Sequence, residues 1–139
     1  MAKIGLVSCV AKKQGSPSRA EDLYTSALFQ NAKAFVQQEC QRRFILSAKH
    51  GLVRPTKVVA PYEETLNRMP AHERRAWASR VWREFQPLLQ AGDEIIILAG
   101  ARYRRDLVPY LERSGFLVQV PLEGKRIGEQ LQWLKTHTA

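Results

Sequence analysis

Acidic residues are scarce in this chain. Its 139 residues carry 13 aspartates and glutamates against 22 lysines and arginines, a formal charge of +9 with a pI near 10. Such a surface attracts polyanions whatever the fold, and nucleic acid is the leading partner class, DNA ahead of RNA, with free nucleotides as the smaller alternative. Cysteine is scarcer still. Cys9 and Cys40 are expected to be two free thiols rather than a disulfide, and without CxxC or HxxxH spacing no metal site is expected. Long apolar runs are missing too. Nothing approaches the ~18 residues of a membrane span, and the apolar residues 4–7 give way to Ser8 and Cys9 before a signal-peptide core can form, so a cytoplasmic protein is expected. Neither GxxxxGK[ST] nor GxGxxG occurs, which leaves ATP and NAD without support and no cofactor expected. Repeats and low-complexity tracts are also absent. One domain over residues 1–139 follows from the length.

What is present is an alternation of short apolar runs and amphipathic stretches. Residues 3–8 (KIGLVS), 43–47 (RFILS), 93–99 (DEIIILA) and 116–120 (FLVQV) read as strands, the first three as fully buried members of a parallel sheet. Helical periodicity runs through Leu23, Leu28, Ala32, Phe35 and Val36 up to about Cys40. It recurs in residues 71–89 (Trp77, Val81, Phe85, Leu88), in 101–113 with Gly115 as C-cap, and in 125–135. Residues 49–69, with Gly51, Pro55 and Pro61 and then Pro70, predict a long irregular excursion. The fold expected is a three-layer α/β/α sandwich around a four-stranded, mainly parallel sheet, of the uracil-DNA-glycosylase or flavodoxin type. Ligands of such sheets bind beyond the carboxyl ends of the strands. Twelve of the 22 basic residues lie in or beside the segments there: Lys12, Lys13, Arg19, Lys49, Arg54, Lys57, Arg68, Arg102, Arg104, Arg105, Lys125 and Arg126.

Those segments supply the candidate site. After the first strand come Ser8, Cys9, Lys12 and Lys13, suited to a phosphate or carboxylate; Cys9 is either a nucleophile activated by the neighbouring lysines or a packing thiol. After the second come Ser47, Lys49, His50, Gly51 and Arg54. His50 is the best general acid or base in the chain, or else a hydrogen-bonded turn residue. Tyr62 and Glu63 follow Pro61, a ring to stack on a base and a carboxylate to orient water, and Tyr24 and Tyr103 are further stacking candidates. Gly100 and Glu123 complete the set of substrate-binding candidates after the third and fourth strands.

With LVSCVAKK, EDLYTSALF, FILSAKHGLVRP, APYEETL, LAGARYR and PLEGKRIGEQLQWL in view, the chain resembles, over nearly its whole length, a small bacterial family of unknown function numbered 6884. It is more distantly similar to YaaA-type peroxide-stress DNA-binding proteins, through Ser47, Gly51, Pro55, Pro61 and Tyr62 in an LSxxxGxxxPxxxxxPY pattern. Cys9 and Lys13 match the CxxxK start of a motif in the core domain of archaeosine synthases; Gln14 and Gly15 stand where that motif has Pro-Tyr, so transfer of lysine to a tRNA base is not implied. These distant resemblances imply business with nucleobases or DNA. Three readings follow: an N-glycosidase-type hydrolase, transferase or other base-modifying enzyme on DNA or RNA, a non-catalytic DNA- or RNA-binding protein, and an enzyme of small nucleotides.

Overall fold

Three strands bury both of their faces, and that decides the architecture. The structure, a computed structural model, describes residues 2–8 and 15–139. β1 (Lys3–Ser8), β3 (Arg42–Ser47) and β6 (Glu94–Leu98) are the central strands. Their alternate side chains split into two buried clusters. Ile4, Leu6, Phe44, Leu46, Ile95 and Ile97 point one way, to Trp77, Val81 and Phe85 of α3 (Ala71–Phe85) and to Tyr103, Leu107 and Leu111. Val7, Ile45, Ile96 and Leu98 point the other way, to Phe29, Ala32, Phe35 and Val36 of α2 (Ala27–Glu39) and to Leu134 of α6 (Ile127–His137). The result is a mixed α/β fold whose sheet has helices against both faces. The remaining strands and α-helices are β2 (Ser18–Arg19), α1 (Ala20–Leu23), β4 (Gly51–Val53), β5 (Val58–Val59), α4 (Ala101–Arg104), α5 (Val108–Arg113) and β7 (Leu117–Gln119), with 3-10 turns at Leu66–Arg68 and Gln86–Leu88.

The sheet has five strands in the order β4-β3-β1-β6-β7. β3, β1, β6 and β7 are parallel, as the sequence predicts, with Ser8 opposite Leu46 and Val7 opposite Leu98. The fifth strand corrects the expectation of four. Gly51, at φ +73°, turns the chain back after Ser47, and residues 51–53 pair antiparallel with residues 45–47. Three residues are too few for an alternation to show in sequence. A second ribbon pairs β2 with β5, so the excursion of residues 49–69 is more ordered than its prolines suggest.

The β4 edge is covered. Leu52 N donates to Glu84 Oε1 at 3.0 Å, and Arg80 on the same helix face reaches the carbonyls of Lys49 and His50 at 3.2 and 2.9 Å. Satisfying an outward-facing N–H with a side chain leaves less for another strand to pair with.

Two expected helices are broken, each for a local reason. The first stops at Leu23 and restarts at Ala27, because Ser26 adopts extended backbone and its hydroxyl accepts from Phe29 N at 3.2 Å as an N-cap. The stretch 101–113 divides into α4 and α5, with Pro109 in the first turn of α5, where a missing N–H costs nothing. Gly115 caps α5 at φ +89°, with Phe116 N bonded to Leu111 O. Among the described residues no helix is long and apolar enough to cross a membrane.

Candidate functional site

Parallel pairing puts the carboxyl ends of β1, β3, β6 and β7 along one edge of the sheet. From β1 the chain moves outward to β3 on one side, then returns to β6 and β7 on the other. The order therefore reverses between β1 and β6, and in open α/β sheets such a reversal leaves a crevice. A cleft of about 330 Å³ lies there. Ser8 at the end of β1 lines it, with Leu98, Ala99 and Gly100 at the end of β6. α2 contributes Leu28 and Ala32, α4 contributes Arg104, and the turn into α6 contributes Leu122 and Lys125, with Ile127 and Gln130 from α6 itself. The volume falls at the small end of the roughly 300–1,000 Å³ of ligand pockets.

One strand over, beyond β3, polar groups are packed together. Ser47, 1% exposed, donates from Oγ to Tyr62 Oη at 2.9 Å and accepts from His50 N at 3.0 Å. The hydroxyls of Tyr24 and Tyr62 hydrogen-bond each other, and Trp77 Nε1 donates to Ser47 O at 2.8 Å. The His50 ring stands edge-to-face against Tyr62 with centroids 5.5 Å apart. Ser8 is registered opposite Leu46, so this cluster begins next to the cleft along the same strand ends.

Burial, with the Tyr62 phenol beside it, pushes the Tyr24 hydroxyl far above the ordinary tyrosine range, so it stays protonated. His50 moves the other way. Partial burial, then Lys49, Lys57 and Arg80, hold its imidazole below the ordinary histidine value of 6.5, against a smaller opposing pull from Glu64. At pH 7 it is neutral, with one nitrogen free to accept a proton. In an NMR titration the His50 ring is expected to titrate below pH 6.5, and Lys49→Ala should raise that midpoint while Glu64→Gln lowers it. A midpoint at or above 6.5 would contradict this electrostatic account. The sign also sets a stability trend: a depressed folded value means that the unfolded chain takes the proton first, so stability is lost as pH falls below 6.5.

The residues singled out from sequence thus fall into separate groups. Ser47, His50, Tyr24 and Tyr62 are brought together, and Ser8 and Gly100 line the cleft. Gly51 makes the turn into β4, and a Cβ on it would lie 2.4 Å from Glu84 Oε1. Lys49 and Arg54 are exposed, the Arg54 guanidinium lying 5.7 Å from the Phe44 ring centroid. Glu63 is exposed, and Glu123 is exposed with an ion pair to Arg104. Tyr103 is buried edge-to-face against Trp77. Cys9, Lys12 and Lys13 lie outside the described residues. Cys40 is a free thiol that burial pushes up to about 11, so it is no nucleophile near neutral pH.

Sequence reasoning placed Arg104 and Lys125 only within a general basic rim, and it missed Gln130 and the apolar walls. Leu28, Ala32, Leu122 and Ile127 look like ordinary helix and turn residues until the chain is folded. The topological reversal was the one signal that could have pointed to them.

The family model described as "Family of unknown function (DUF6884)" matches residues 4–136. The chain belongs to the DUF6884 family. A relative described as "Uncharacterized protein YfjM", from Bacillus subtilis (strain 168), is 30% identical over 142 residues, covering 96% of this chain and 93% of the relative. The DUF6884 match thus spans the strands, the cleft and the Ser47 cluster alike. No solved structure matches the chain.

Proposed function

We propose that this protein acts on a nucleobase or nucleotide, as part of or derived from nucleic acid, and that its chemistry is N-glycosidic bond cleavage or another base modification. The observation that carries the reading is the cleft at the reversal point of the sheet, next to the Ser47–Tyr62–His50 cluster. Its walls, Leu28, Ala32 and Leu98, suit the flat face of a base, and its lining also carries Arg104 and Lys125, which suit phosphate. Enzymes that attack a base must draw it out of the stack into such a pocket, and they need no cofactor to do so. We read the sheet with helices on both faces as a three-layer sandwich of uracil-DNA-glycosylase or flavodoxin type, and by analogy that fold favours the same reading. So do the distant resemblances to YaaA-type DNA-binding proteins, through Ser47, Gly51, Pro55, Pro61 and Tyr62, and to the archaeosine synthase core, through Cys9 and Lys13. A cytoplasmic location accords with such a substrate.

In this reading His50, neutral at pH 7, takes a proton from water or hands its ring N–H to the departing base. Ser47 holds the His50 backbone in place, and the exposed Glu63 orients water. The test is incubation with single strands and duplexes carrying modified bases, scored for abasic sites. Product from the wild type is expected, reduced by about 10²-fold in His50→Ala. No product on any substrate removes the enzymatic reading.

One observation favours a second reading, a non-catalytic nucleic-acid binder. The rings of Tyr24, Tyr62 and Tyr103 are 1%, 9% and 4% exposed, so none presents an open face for base stacking. A binder that relies on the basic rim must lose affinity steeply with salt as counterions are released. Binding that is steep in salt and indifferent to His50→Ala, with no product, would decide for it.

A further inference from the structure

Arg104 lines the cleft, and its charge is poorly neutralised. Its side chain is only 18% exposed. One nitrogen, Nη1, donates to the carbonyl of Ala99 at 3.0 Å, which fixes the guanidinium without cancelling its charge. The nearest carboxylate is Glu123, whose Oε2 lies 3.8 Å from Nη2, at the outer limit of an ion pair, on a side chain 69% exposed. A contact that loose and that wet contributes little. A guanidinium has five donors in a planar fork suited to phosphate, and burying it without a close anion is unfavourable.

The second cation stands on a built turn. Lys125 follows Gly124, whose φ of +77° suits glycine, and Lys125 N bonds back to Leu122 O at 3.1 Å. Its carbonyl accepts from Gln130 Nε2 at 2.9 Å, tying the turn to α6. No carboxylate lines the cleft among the described residues, while Arg104 and Lys125 both do. Apolar side chains cover the wall formed by α2 and β6. The cleft lining thus combines two cations with apolar side chains, the two kinds of contact that the phosphate and the base of a nucleotide need.

We infer that Arg104 and Lys125 form a phosphate site, which holds the phosphate of a nucleotide while its base lies against Leu28, Ala32 and Leu98. Glu123 faces Arg104 from outside the cleft and competes with the phosphate for its guanidinium. The inference rests on the nucleotide reading above and adds where the phosphate goes. The phosphate belongs either to a free mononucleotide or to a nucleic-acid strand, and the two are separable by experiment.

The experiment is calorimetric titration of the full chain with a nucleoside 5′-monophosphate, the matching nucleoside, ribose 5-phosphate and a dinucleoside monophosphate, for each of the common bases. The monophosphate is expected to bind about ten- to a hundredfold more tightly than the nucleoside, the factor that one or two charge-assisted bonds supply. Arg104→Gln and Lys125→Gln should each erase most of that difference and leave nucleoside binding in place, whereas Glu123→Gln should tighten the monophosphate severalfold. If Arg104→Gln does not fold, the Lys125 and Glu123 variants carry the same comparison. Equal binding of the dinucleoside monophosphate assigns the phosphate to a strand, and its exclusion assigns it to a free nucleotide; either supports the site. Ribose 5-phosphate binding as tightly as the nucleotide keeps the phosphate site and removes the nucleobase reading. Nucleoside and monophosphate of equal affinity, both indifferent to Arg104→Gln, overturn the phosphate site and leave the nucleobase reading standing. Binding of none of the four overturns the phosphate site as well.

Discussion

Replacing Gly5 with valine is expected to unfold much of the population at room temperature, and even Gly5→Ala should cost about 1–3 kcal/mol, the usual range for an overpacked core. Gly5 sits in the central strand β1 directly under α2. A Cβ there would lie 2.7 Å from Val36 Cγ1, 2.9 Å from Val36 Cβ and 3.2 Å from Cys40 Sγ. Val36 Cβ is fixed by the helix backbone and Val36 is 1% exposed, so neither side can step aside without moving the helix off the sheet. α2 also forms a wall of the cleft through Leu28 and Ala32, so ligand affinity should fall together with stability. Thermal melting checks the first effect, at roughly 2–8 °C per kcal/mol for small domains. The pair Gly5→Ala with Val36→Ala should cost less than the sum of the two singles, because the second change opens the space that the first one needs. An unchanged melting temperature in Gly5→Ala would mean that α2 does not approach β1 this closely.

Ser47→Ala should cost about 1–3 kcal/mol, more than an average loss of one hydroxyl, because a buried partner and a half-buried one both depend on Ser47 Oγ. It accepts from His50 N at 3.0 Å and donates to Tyr62 Oη at 2.9 Å. The first bond shapes the turn that sends the chain into β4, and the second joins β3 to the segment after Pro61. Chemical denaturation reads the stability, and the same variant carries a second signature. With its turn loosened, the His50 ring is expected to move toward solvent and its midpoint to rise toward 6.5, since burial is the first cause of its depression. Tyr62→Phe removes the Ser47–Tyr62 bond but leaves Ser47 Oγ with the His50 N–H, so it should lower stability without raising that midpoint. A Ser47→Ala protein with wild-type stability and an unmoved His50 would show that the cluster holds nothing in place.

The central sheet was legible because burial on both faces leaves a mark in composition: IGLV, FIL and IIIL are continuous apolar runs, and strands with one wet face would have alternated. Gly115 and the helix of residues 71–85 were legible for a similar reason, a special backbone angle in one case and a clean helical stripe in the other. For the fifth strand, the deciding interactions lay far along the chain. β4 exists because Gly51 turns it onto β3 and because Glu84 and Arg80 hold it from α3, some 30 residues away. The break before α2 rests on one serine that could as well have sat inside a helix.

From its residue order alone, this chain determined an α/β fold with parallel central strands and a basic character. It also determined that Ser8, Ser47 and Gly100 come at strand ends, because periodicity, charge and turn chemistry are local properties of the polymer. Only the tertiary structure decided which strand ends become neighbours. The reversal between β1 and β6 opens a cleft there and encloses Arg104 and Lys125 with apolar walls drawn from α2 and the turn into α6. It likewise sends Ser47, Tyr24 and Tyr62 into a shared buried network and leaves Glu63 in solvent. Closeness in space between residues distant in sequence comes from packing two apolar layers onto one sheet, and no local pattern encodes it.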